Sequence, residues 1–275
     1  MSPAPTPEPP LTDLPIPAPP TRPLAQRLTD YLVWGGLIVF LLASFGPVEM
    51  SKTPLLFTKA ENISLFGKGF LHPDFGQGWR YVGQMLLTVQ IALWGTALAV
   101  GIAIPLGLAG ARNIAPPWIQ QPVRWLMNIM RSVPDLVIGT VFVVAVGLGP
   151  FAGVMALALN TGGVLGKLFS EAVEAVDPRP VEGVRAVGAT RLHEIVWGVI
   201  PQVGPLWTSY ALYRFESNSR SATVLGLIGA GGIGQVLFES INAFAYGQTA
   251  AIVIVIVVAV TVIDLLSQTL RQRLL

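Results

Sequence analysis

From Tyr81 to Leu266 the chain returns again and again to long runs with almost no charge, and this narrows the folds open to it. A hydrocarbon layer about 30 Å thick is crossed by about 20 apolar residues in a helix, and every backbone polar group inside it must be satisfied within the protein. The most uniform run is Gln248 to Leu266, with Asp264 near its end. Tyr81 to Ala111 is longer than a bilayer needs and carries Gln84, Gln90 and Thr96, so one of its faces is expected to look onto protein or water. RSVPD at 131–135 leads into LVIGTVFVVAVGLGP, and Gly149-Pro150 reverses the chain into Phe151 to Lys167, rich in the Ala and Gly that let membrane helices pack closely. Ile195 to Tyr213 follows, with Pro201 and Pro205 expected to bend or break it, and Asp30 to Pro47 stands ahead of them all. Composition agrees: 12% of residues are charged, against about 25% in soluble domains, and mean hydropathy is +0.63. The expectation is an all-α polytopic membrane protein with six transmembrane helices in a lipid bilayer.

Three regions divide the chain. Residues 1–26 are a proline-rich tail, with ten prolines by residue 23, expected to stay extended, disordered and cytosolic. Residues 27–79 hold the first span and a polar extracytoplasmic loop, and 80–270 hold the core. Counting Lys and Arg fixes the orientation. With a cytosolic N-terminus, the inner segments carry Arg22, Arg27, Arg112, Arg124, Arg131, Lys167, Arg179, Arg185, Arg191, Arg271 and Arg273. The outer ones carry Lys52, Lys59, Lys68, Arg80, Arg214 and Arg220, so the count is eleven against six and both termini are expected in the cytosol.

One polar stretch interrupts this pattern on the inner side: EAVEAVDPRPVEGVRAVGATRLHEIVWGVIP, Glu171 to Pro201. Asp177-Pro178 reads as a helix start, a carboxylate to cap free N–H groups and then a proline where no N–H is needed. Gly183, Gly188 and Ala189 follow among helix formers. Glycine within a helix costs about 1 kcal/mol relative to alanine, so close approach by another backbone is expected there. Thr190 is placed to cap a second short helix. A soluble helix–turn–helix inside a membrane protein predicts a docking partner.

The stretch resembles the EAA loop of binding-protein-dependent ABC importers. Glu182, the glycine six residues on (Gly188) and the terminal Pro201 match; Gly183 and Val184 stand for the two alanines, and Gly198 for the usual isoleucine. DPRPVEGVRAVGA, with YRFESNSRSATVLGLIGAGGIG further on, is similar to the permease subunit of phosphonate-type importers, from about Gly78 to the C-terminus. The resemblance implies a type I ABC importer transmembrane fold working as a homodimer, two cytosolic ATP-binding subunits and an extracytoplasmic solute-binding protein. It also implies an ATPase-coupling role for Glu182, Gly183, Arg185, Gly188, Ala189, Thr190 and Pro201.

Other constellations are weaker. Gly229, Gly231 and Gly234 fit G-x-G-x-x-G, but the βαβ unit and the acid about 20 residues on are missing. With Gly232 they are read instead as a gate, since glycines at membrane depth permit unwound backbone beside a cavity. GGVLGK, ending at Lys167, lacks the first glycine of a phosphate loop (Thr161) and its hydroxyl residue (Leu168), so no ATP site is expected in this chain. Arg214, Ser217, Asn218, Arg220, Ser221 and Thr223 form the densest polar group, expected at the outer ends of the spans. Arginine's planar fork suits phosphorus oxyanions, so they are candidate pathway residues, or else Arg214 or Arg220 pairs with Glu216 or meets the binding protein. Without cysteine and with two histidines far apart, no metal, cofactor or covalent catalysis is expected, nor any nucleic-acid partner. The rival is a secondary transporter or channel for a small anion; intramembrane charge pairs would mark it, and Asp135 and Asp264 are the two candidates.

Overall fold

The computed structural model describes residues 24–58 and 60–274; the proline-rich tail up to residue 23 lies outside them. The chain divides into two compact units between Ile63 and Ser64. In the first, α1 (Leu24–Ser44) exposes its large apolar side chains from Leu28 to Leu42. A 3₁₀ turn (Met50–Lys52) and the single-turn α2 (Leu55–Thr58) lead into α3 (Ala60–Leu71), which crosses the boundary.

The regular secondary structure of the second unit's described residues is all helix, joined by short turns. It comprises α4 (Gly78–Gly110), α5 (Pro117–Ser132), α6 (Asp135–Val146), α7 (Pro150–Glu174), α8 (Pro178–Ala186), the one-turn α9 (Arg191–His193), a π-helical stretch Glu194–Val199, α10 (Ile200–Gly226), α11 (Ile233–Asn242) and α12 (Tyr246–Leu274). Its centre is the pair α4 and α7, which approach through small residues. A Cβ on Gly95 would sit 2.7 Å from Leu157 Cβ, and one on Gly107 2.6 Å from Phe169 Cβ. Ala92, Ala99 and Ala103 on α4 and Ala156 on α7 are fully buried. Membrane helices gain nothing from hydrophobicity against one another, so this closeness is what holds the pair, through dispersion over a large contact. On the flank of the pair, Phe169 stacks on Trp207 of α10, with centroids 4.5 Å apart and planes 10° from parallel.

α4, α7 and α12 are each long and apolar enough to cross a bilayer, and α5 with α6 makes a fourth apolar pair bent by 89°. Of the six expected spans, three fall on α4, α7 and α12 and a fourth on the bent α5–α6 pair, while α1 and α10, at the places of the other two, do not reach that length and hydropathy. Three details of the helices also depart from expectation. α6 has 12 residues, about 18 Å at 1.5 Å per residue, too short to cross alone. The fifth span does not end at Tyr213: α10 runs unbroken for 27 residues to Gly226. Nor does Pro201 break it. Pro201 is the second residue of α10, where a missing N–H costs nothing, and the widened turn of 194–199 comes before it. Pro205 lies inside the helix, which continues past it.

Candidate functional site

The polar stretch folds as an elbow. Asp177 accepts the Arg179 N–H at 3.0 Å and Pro178 opens α8, as the sequence leads one to expect. Thr190 stands at the N-cap of α9, but its hydroxyl bonds the His193 ring at 2.7 Å rather than a backbone N–H. Gly188 is not within a helix. It ends α8 at φ +82°, donating its N–H to the Arg185 carbonyl at 2.9 Å, a left-handed closing position that favours glycine. Gly183 is within α8, and a Cβ there would meet nothing within 4 Å. The close backbone contact occurs at Gly198 instead, where a Cβ would lie 3.0 Å from Val181 Cα; that glycine lets α8 lie directly on the π-helical stretch.

Beneath α8 the buried Glu194 carboxylate takes a two-pronged contact from Arg185, Nε at 2.9 Å and Nη2 at 3.0 Å. The hydrogen bond from Arg185 holds the Glu194 carboxyl below its ordinary range, against the opposing pull of burial, and Glu194 in turn raises the Arg185 guanidinium. Arg191 Nη2 donates to the Asn113 and Ile114 carbonyls at 3.0 and 2.8 Å, tying the elbow to the α4–α5 turn. Gln202 bonds the Asp177 N–H and carbonyl, and Glu174 receives Arg124 and the Arg112 N–H. The elbow's base is thus fixed at several points. Its outer side is not covered: Glu182, Gly183, Ala186, Val187, Gly188 and Leu192 are exposed, Val187 at 83%. Ala189 is half-buried and Pro201 exposed.

The polar group expected at the outer ends of the spans lies elsewhere. Arg214 to Thr223 belong to the body of α10, because the helix continues where a loop was expected. Its members part by helical phase. Asn218 is fully buried, donating to Thr96 at 2.9 Å and accepting from Thr161 at 2.9 Å, so it pins α10 to α4 and α7 and offers no surface to a pathway. Thr223 bonds back to the Ser219 carbonyl. Arg220 donates to Asp264 of α12 at 3.2 Å and to Glu216 at 3.2 Å, and Glu216 also takes Arg271 at 3.2 Å. Ser221 is half-buried beside Arg220 on one cavity wall, and Ser217 lies half-buried near Arg214, whose Nε is buried without a partner among the described residues.

The glycine cluster forms a reversal. Gly229, Gly231 and Gly232 all take positive φ, from +77° to +88°. A Cβ on Gly226 would lie 2.8 Å from both the Gly231 carbonyl and Gly234 Cα. Ile233 N–H donates to Thr88 at 2.8 Å, and Gly229 accepts from Gly149 N–H at 2.9 Å. Gly231, Gly232 and Gly234 are buried in this joint between α10 and α11 rather than open to a cavity.

Comparison with known proteins decides what kind of molecule this is. Residues 103–275 match the family described as the binding-protein-dependent transport system inner membrane component. The chain belongs to that family. It is 40% identical to the phosphite transport system permease protein PtxC of Stutzerimonas stutzeri over 236 residues, 86% of each chain. It is 37% identical over 256 residues to the phosphate-import permease protein PhnE of Mycolicibacterium smegmatis, covering 92% of this chain and 48% of that one. Among solved structures it resembles a chain of the inward-facing MetNI methionine ABC transporter. There the TM-score is 0.63 at 19% identity, over 74% of this chain and 99% of that one, which shows the type I importer transmembrane fold.

For a binding-protein-dependent permease, the elbow is the part legible in its residues, and the bracing beneath it is the part that was not. Glu194, Gln202 and Gly198 carry that bracing. A glutamate nine residues after an arginine is the one sequence signal for it, and it needs the α8 turn to acquire meaning. Arg220 does pair with Glu216, an alternative the sequence offers, whereas Arg271 was missed because it meets Glu216 across 55 residues. Glu216 adds a charge to Asp135 and Asp264, yet the charges on α10 and α12 neutralise one another in a chain of contacts, and family membership favours the transport-subunit reading over the secondary transporter.

Proposed function

We propose that this permease is the translocating subunit of an ATP-driven importer of phosphorus oxyanions: phosphonate, phosphite or phosphate. In this reading it pairs with a second copy of itself, two cytosolic ATP-binding subunits and an extracytoplasmic solute-binding protein, with both its termini in the cytosol. ATP hydrolysis belongs to the separate subunit. The observation that carries the coupling role is the open outer face of α8, Glu182, Gly183 and Val187, over a base locked by Arg185–Glu194 and Arg191. A helix that is free on one side and rigid on the other passes a push to α4, α7 and α10 instead of absorbing it. The relatives named for phosphite and phosphate, at 40% and 37% identity, support the substrate class. Copurification with the ATPase, followed by uptake of labelled phosphite and methylphosphonate into proteoliposomes, tests the reading. Uptake should require ATP and binding protein together; uptake driven by an ion gradient without an ATPase would return the case to a secondary transporter.

A further inference from the structure

Between the start of α6 and one flank of α10 lies a cavity of about 320 Å³ lined by Pro134, Asp135, Leu136, Arg220, Ser221, Val224 and Leu225. Its polar wall brings three chemistries together. Arg220 engages Asp264 and Glu216 through Nη1 and Nη2, which leaves part of a guanidinium's five N–H donors for another acceptor. Ser221 supplies a hydroxyl that is both donor and acceptor. Asp135 forms no hydrogen bond or ion pair among the described residues. In the first turn of α6 the Val137 and Ile138 N–H groups are already bonded to the Pro134 carbonyl, at 3.0 and 3.2 Å, so the site's donors are side chains.

An anion site with a bare carboxylate in its wall is not a general anion site. A fully deprotonated oxyanion would set its oxygen lone pairs against those of Asp135, with no proton between them. A phosphorus oxyanion that keeps one proton can donate P–O–H to Asp135 while its charged oxygens take Arg220 and Ser221. Such oxyanions titrate that proton close to neutrality, phosphate esters with a second pKa of about 6, so a singly protonated fraction is there to be captured, whereas sulfate offers none. We infer that Asp135, Arg220 and Ser221 form a transient binding site in the permease itself that selects singly protonated phosphorus oxyanions over sulfate, Asp135 acting as acceptor for the retained proton. The inference rests on the phosphorus-oxyanion reading above and adds a filter within the membrane to whatever the binding protein selects. Because Glu216 and Asp264 already neutralise Arg220, the site holds its ligand weakly, as passage requires.

The test uses the assembled transporter with Val224→Cys, on the cavity wall but outside the three binding residues, in the otherwise cysteine-free permease, titrated with a charged thiosulfonate reagent. Phosphite and methylphosphonate at millimolar concentration should slow labelling, and sulfate should not. Adding Asp135→Asn, whose amide can donate to a deprotonated oxygen, should let sulfate protect as well. It should lower the phosphite-to-sulfate ratio about ten- to a hundredfold, the range for a hydrogen bond to a charged group. Arg220→Gln should abolish protection by every anion. Equal protection by sulfate and phosphite in the Asp135 protein overturns the proton filter. Absence of protection by any anion, in a transporter that still takes up labelled phosphite, overturns the site while leaving the importer reading intact. Absence of phosphorus-oxyanion uptake under all conditions strikes the importer reading itself.

Discussion

At the residue scale, Asn218 shows how a side chain's role depends on its phase along a helix. It lies two positions from Arg220, yet points into the contact of α4, α7 and α10 and bonds Thr96 and Thr161. Interhelical hydrogen bonds in membranes are worth about 0.6 kcal/mol each on average, and truncation adds a packing defect. Asn218→Ala should therefore cost about 1–3 kcal/mol and lower the thermal midpoint in detergent, with substrate preference unchanged. An altered preference at native stability would put Asn218 on the pathway after all. The sequence exposes the polar cluster of 214–223 but not this division, since periodicity sorts its members only once the helix is known to continue past Tyr213. Gly188 teaches the same lesson. Its presence in the motif is legible, while its positive φ, and hence the strain awaiting any larger residue, follows from where α8 stops.

At the scale of elements, one of the elbow's several braces is an ion pair whose acid member is buried and whose base is half-exposed. Glu194's pKa is depressed from its ordinary 4.5. The ion pair's stabilisation is therefore fully present above that value and is lost as pH falls through the depressed native one. Hydrogen-exchange protection of residues 178–194, corrected for the intrinsic pH dependence of amide exchange, should hold steady from neutrality down to about pH 5 and fall below the ordinary glutamate range. In Glu194→Gln the loss of protection should be present already at neutral pH and insensitive to acid. Corrected protection that is flat with pH in the native protein would mean the pair does not brace the elbow. Gly198→Leu is expected to loosen the same residues by driving α8 off Val181. The cap at Asp177 and the proline after it were legible because helix starts are local chemistry. The bracing by Glu194 and Gln202 was not, because it is made across the turn.

For the whole molecule, hydrophobic runs foretold an all-helical membrane protein, and the helix ends differ where a local rule met a tertiary one. Pro201 reads as a breaker in sequence and serves as a first-turn residue in α10; α6 is half a span whose continuation is bent away in α5. Removing Arg214 and Arg220 from the outer segments leaves four basic residues there against eleven inside, which strengthens the orientation proposed from charge. In intact cells, a cysteine replacing Lys68 should react with an impermeant thiol reagent from outside, and one replacing Val187 should not, in a chain with no native cysteine. The opposite pattern would put the elbow on the wrong side for an ATPase. The central claim is that the open face of α8 receives the ATPase, and Gly183 probes it most directly, because a side chain there meets nothing in this chain. Gly183→Trp should be made, purified and melted as the native protein is, within about 1 kcal/mol as for an exposed helix position. It should nevertheless lose copurification of the ATPase and, with it, all ATP-dependent uptake. Native ATPase retention and native uptake by that variant would contradict the account.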